Sequence, residues 1–144
     1  MKRTLAFLIV TGLLTGCAGR EFIVRGDELV KQGRYTEAIV FYEKARELAP
    51  DSAGANDGIK QARRMAVTVE LDKAEAKLKE IDYASALAHA LRASKMPLDL
   101  DEVDLKGRIR DAISQAEKRA EDRVQDWVNR GHFIPAVELA DLIV

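Results

Sequence analysis

The single thiol of the chain, Cys17, follows Leu14-Thr15-Gly16 and is the strongest nucleophile the sequence offers. One cysteine makes neither an intramolecular disulfide nor a zinc site. His89 and His132 stand far apart, with no cysteine or carboxylate at ligand spacing on a shared helical face, so no metal is implied. His89 is expected to pack beside Ala86 and Ala93, and His132 to sit in a turn. Asp99, Asp101 and Asp104 are spaced like calcium-loop ligands, yet the glycine of the sharp turn and the terminal glutamate are missing. A solvated capping cluster is the simpler reading. Serine, histidine and aspartate all occur, but no Gly-x-Ser-x-Gly elbow or comparable nucleophile setting does. No catalytic residue, metal or cofactor is expected, and the chain is not expected to be an enzyme.

Composition narrows the classes further. The 144 residues, 47% hydrophobic and 33% charged with three prolines, suit one ordinary folded domain and exclude a low-complexity tail. A mean hydropathy of −0.19 excludes a polytopic membrane protein. The formal net charge is −1, so no basic excess exists to grip nucleic acid. Arg63-Arg64 is a pair and not a patch.

The first residues have the form of an address. Lys2 and Arg3 precede an apolar run from Leu5 to Leu14, interrupted by Thr11 and Gly12. Spanning a bilayer needs ~20 apolar residues, so this is the hydrophobic region of a secretory signal. Leu14-Thr15-Gly16-Cys17 resembles the bacterial lipoprotein signal. That resemblance implies a signal peptide over 1–16, a diacylglyceryl thioether on Cys17, cleavage before it, and acylation of the new amino group. Several acyl chains anchor stably where one binds only marginally. Residues 17–19 then form a short linker, and Ala18 after the cysteine implies sorting to the outer membrane, facing the periplasm.

From Arg20 onward apolar residues recur at three and four, as in Ile109, Ala112, Ile113, Ala116, Ala120, Val124, Trp127 and Val128, which predicts an all-α chain. Six helices are expected, over 20–32, 36–49, 53–80, 83–95, 101–130 and 134–144. Gly33 and Gly131 close helices. Thr36, Ser52 and Asp82 are candidate caps, and Asp99 with Glu102 is a candidate capping box. Pro135 suits a first turn. Trp127, on the apolar stripe, is expected in the core.

Three turns repeat a pattern. Gly33-Arg34-Tyr35-Thr36-Glu37-Ala38-Ile39, Ile81-Asp82-Tyr83-Ala84-Ser85-Ala86-Leu87 and Gly131-His132-Phe133-Ile134-Pro135-Ala136-Val137 each carry an aromatic, then an alanine three residues later, then an aliphatic. The aromatic is expected to pack back across the turn, while the alanine lets two helices approach closely. In the first unit, Phe22, Gly26, Leu29, Gly33, Tyr35, Ala38, Tyr42, Ala45 and Pro50 fall at the motif positions of the tetratricopeptide repeat family, which this segment resembles. Arg25, at the usual leucine position, departs from it. The clearest repeat is 19–52. Degenerate units at about 53–98, with Ala74, Tyr83, Ala86, Ala90 and Ala93, and at about 99–144, with Trp127, Gly131, Phe133, Ala136 and Ala140, follow at longer spacing than the family's ~34 residues. The surplus predicts stretched hairpins whose first helices run to roughly 28–30 residues. The expected architecture over 20–144 is thus an α-solenoid of helical hairpins; a plain antiparallel bundle with one genuine repeat is the competing arrangement.

Stacked hairpins line a concave face with the first helix of each pair. That phase nominates a peptide-binding groove of Arg20, Ile23, Asp27, Val30 and Lys31, continued by Thr68, Leu71, Glu75, Leu78 and Lys79. Its mixed apolar and charged character suits an extended or helical peptide. The apolar end of the chain, from Val137 to Val144, lacks a polar cap, so a truncated copy of a longer protein is expected, the alternative being an exposed end that docks on something. The resemblance implies a membrane-anchored periplasmic scaffold for other envelope proteins, in secretin or pilus biogenesis, outer-membrane assembly or cell-wall synthase control. Partners are proteins or peptides, with the membrane reached through Cys17 and neither nucleic acid nor metal bound. The alternatives are an accessory arm of a longer envelope enzyme or secretion protein, a helical solute-binding protein or enzyme, and a coiled-coil spacer.

Overall fold

A computed structural model describes residues 19–143, with side chains placed through Asp141; the expected lipoprotein signal and lipidation site, residues 1–16 and Cys17, lie outside the described residues. Among them the chain is all-α, with no strand. The helices are α1 (Arg20–Lys31), α2 (Tyr35–Leu48), α3 (Ala53–Lys79), α4 (Tyr83–Ser94), α5 (Val103–Asn129) and α6 (Phe133–Ile143). Their ends lie within two residues of the predicted ones, and the starts at Arg20, Ala53 and Tyr83 coincide. The long helices α3 and α5 have 27 residues each, close to the length the turn spacing predicts.

Two compact units divide the chain, the first ending at Met65 and the second beginning at Ala66, inside α3. In the first, α1 packs on α2, and Leu29, Ala38, Tyr42, Ile59 and Ala62 form the core, flanked by Ile23, Val30, Ile39 and Phe41. The ring of Tyr42, 3% exposed, lies against two glycines. A Cβ on Gly26 of α1 or on Gly58 of α3 would stand 2.6 Å from its Cε1. Both helices therefore approach the ring through bare backbone, which no other residue permits.

In the second unit α4 packs on α5, and α6 on both. One cluster joins Val67, Leu71, Ala74, Ala90, Ala93, Leu105, Ile109 and Ala112; another joins Leu78, Ala86, Leu87 and Ala116. Alanine supplies half of the residues in these two clusters, and its small volume lets packed helices approach closely.

The three repeated turns close identically. Gly33 N–H donates to Val30 O at 3.0 Å and Arg34 N–H to Leu29 O at 2.9 Å. Ile81 and Asp82 make the same pair to Leu78 and Lys77, and Gly131 and His132 make it to Val128 and Trp127. This doubled closure requires a left-handed residue after the helix. Gly33 (φ 74°) and Gly131 (φ 79°) supply it without strain, whereas Ile81 (φ 64°) is a β-branched residue held where L side chains crowd the backbone. The following alanines, Ala38, Ala86 and Ala136, are all buried, as the pattern requires.

Several local expectations are corrected. Arg34, not Thr36, occupies the N-cap of α2, and its side chain makes no cap bond; it pairs instead with Glu37. Glu102 rather than Asp99 is the N-cap of α5. Glu102 Oε2 still accepts the Asp99 N–H at 2.9 Å, one turn ahead of the helix. Tyr83 packs at the core edge, but Phe133 is 62% exposed and does not fold back over its turn. Trp127 is half-buried and not in the core, its ring covered by the Arg123 guanidinium.

Candidate functional site

On α1 the nominated residues fall on one flank. Arg20 and Lys31 are exposed, while Ile23 and Val30 are half-buried against the first-unit core. Asp27 lies between them, exposed, and its Oδ1 accepts a 2.7 Å hydrogen bond from the Tyr42 hydroxyl. Burial, and then this carboxylate, push the Tyr42 hydroxyl pKa well above its usual value. The strip thus offers two cations at its ends, a carboxylate at its centre and two aliphatic side chains.

Two residues in the second half of the nominated groove are corrected. Leu71 and Leu78, 1% and 7% exposed, belong to the two cores of the second unit and cannot face a ligand. The buried stripe of α3 there runs Val67, Leu71, Ala74, Leu78, a spacing of three and four that was legible in the sequence. Thr68 is half-buried, while Glu75 and Lys79 are exposed. Glu75 accepts a 3.3 Å contact from Arg108 of α5.

Three polar arrangements were missed. Glu70 on α3 is contacted by His89 Nδ1 at 2.8 Å, Arg92 Nε at 2.9 Å and Lys73 Nζ at 2.9 Å. Burial alone would raise this carboxyl, but those hydrogen bonds outweigh it and hold it at about 2. His89, expected among alanines, therefore reaches across to α3. An open cleft of about 350 Å³ lies on the first unit, lined by Glu21, Phe22, Val24, Arg25, Glu28 and Phe41. Another of about 400 Å³ on the second unit is lined by Tyr83, Arg119, Asp122, Arg123, Asp126 and Arg130. Long side chains reaching between helices build the first of these, and each cleft is lined from two helices, so the periodicity of a single helix carries no signal for them.

Among the described residues no group of three or more histidines, cysteines or carboxylates could hold a metal. None of the described helices is long and apolar enough to cross a membrane. No family model, curated protein or solved structure matches the chain.

Proposed function

We propose that this chain is a lipid-anchored lipoprotein of the bacterial envelope, of tetratricopeptide-repeat type, that scaffolds other envelope proteins from the periplasmic side of the outer membrane. The observation that carries the reading is the seating of Tyr42 between Gly26 and Gly58. In a stack of hairpins, the second helix of one pair wedges between the first helix of its own pair and the first helix of the next. An aromatic on α2 meeting glycine on both α1 and α3 is the contact such stacking needs, and an isolated hairpin has no use for the second glycine. Three turns with the same closure add to it. Leu14-Thr15-Gly16-Cys17 supports the anchor, and only Ala18 and Gly19 separate Cys17 from Arg20. So short a leash keeps the first hairpin near the membrane surface and raises its effective concentration for partners there.

Replacing Cys17 with Ser tests the anchor. The variant is expected in the soluble fraction of lysed cells, and retention with the membranes overturns the reading. For the scaffold, Asp27→Lys with Lys31→Glu reverses the charge order along the α1 strip. An unchanged crosslinking profile of the acylated protein in cells would remove that strip from the binding surface.

A further inference from the structure

The cleft between the start of α4 and the last turns of α5 holds a guanidinium positioned by a ring and not by an acceptor. Arg123 lies 5.1 Å over the centroid of Trp127, a contact that fixes the plane of the group. Its Nε is shut from solvent without a hydrogen-bond partner. Its Nη1 is 4.0 Å from Asp126 Oδ2, too far for a hydrogen bond. Asp126 accepts instead from Arg130 Nε at 2.9 Å. A guanidinium has five N–H donors, and one left under-used beside a cleft is an oriented receptor for an oxyanion.

We propose that this cleft receives the carboxylate of an aspartate or glutamate from a partner polypeptide. Three arginines facing two aspartates, Asp122 and Asp126, leave the wall with a single surplus positive charge. One carboxylate neutralises it, whereas a phosphate dianion would meet repulsion from both aspartates. Tyr83 of α4 completes the lining beside the charged residues of α5. Directly after Arg130, the turn and first residues of α6 expose Phe133 and Ile134, 62% and 77% accessible. A segment with apolar residues flanking its acidic one fits this surface. The proposal rests on the scaffold reading only in taking the partner to be a protein.

Trp127 is the only tryptophan in the chain, so its emission reports the site directly. The full chain is titrated with a blocked pentapeptide alternating leucine and aspartate, and with the counterpart bearing asparagine. The aspartate peptide is expected to shift Trp127 emission saturably, and the asparagine peptide to bind weaker by roughly tenfold or more. Arg123→Gln alters the ring's own surroundings, so binding is also read by calorimetry. Arg119→Gln, on an exposed side chain, provides a second variant whose helical circular dichroism stays unchanged. Both variants are expected to weaken the aspartate peptide alone. Equal binding of the two peptides, or unaltered binding by both variants, overturns the site. Inorganic phosphate binding tighter than the peptide at matched ionic strength overturns the carboxylate assignment. Membrane retention through Cys17 is read separately, so losing this site and losing the anchor are distinguishable outcomes.

Discussion

The Tyr42 hydroxyl donates to Asp27 across the α1–α2 pair at 2.7 Å, while the same ring fills the gap between Gly26 and Gly58. A residue nominated for ligand contact is thereby tied to the first-unit core. Any partner competing for Asp27 also loosens the tyrosine that holds three helices together.

Glycine replacements separate the packing role from mere helix propensity. Gly58→Ala drives a methyl to within 2.6 Å of the ring and is expected to destabilise by about 1–3 kcal/mol. Gly107→Ala in α5, with nothing within 4 Å of the new methyl, is expected to stabilise by up to about 1 kcal/mol. Urea unfolding of both variants checks the contrast, which fails if the two changes have the same sign.

Ile81 holds the left-handed position that glycine holds in the other two turns. It is 57% exposed, so little burial is lost on replacing it. Ile81→Gly is expected to gain about 1 kcal/mol by relieving the backbone. Thermal melting should show a rise of a few degrees.

Acid should act through Glu70. Its carboxyl sits at about 2 in the fold, against an unperturbed 4.5. The unfolded chain therefore binds a proton that the native chain does not as pH falls through 4.5. The stability Glu70 contributes is present above that value, declines as pH falls, and is gone below about 2. Glu70→Gln is expected to cost about 1–3 kcal/mol at neutral pH and to flatten the acid limb of a stability–pH curve. The groups facing it are Lys73 on α3 and Arg92 and His89 on α4.

Leu71→Ala is expected to cost about 2–5 kcal/mol, since its side chain is 1% exposed in the larger second-unit core. A loss under 1 kcal/mol by chemical denaturation would return Leu71 to the surface. Removing a cap is milder. Asp82 accepts the Ser85 N–H at 3.1 Å, and Asp82→Ala is expected to cost about 1 kcal/mol.

Local interactions made much of this chain readable from its residues. Helix positions, the closures at Gly33 and Gly131, the Asp82 cap and the length of α3 and α5 depend on neighbours within a few positions, so periodicity and turn chemistry specify them. The buried alanines of the repeated turns were legible for the same reason. Tertiary packing alone decided which face of α3 is covered after Met65, because a 27-residue helix can bury different sides against different neighbours. It also decided where long polar side chains meet. Glu70 finds His89 and Arg92 across 19 and 22 residues of sequence, and Arg123 settles on Trp127 while Asp126 takes Arg130. Such side chains have many rotamers of similar energy, and only the assembled helices select among them.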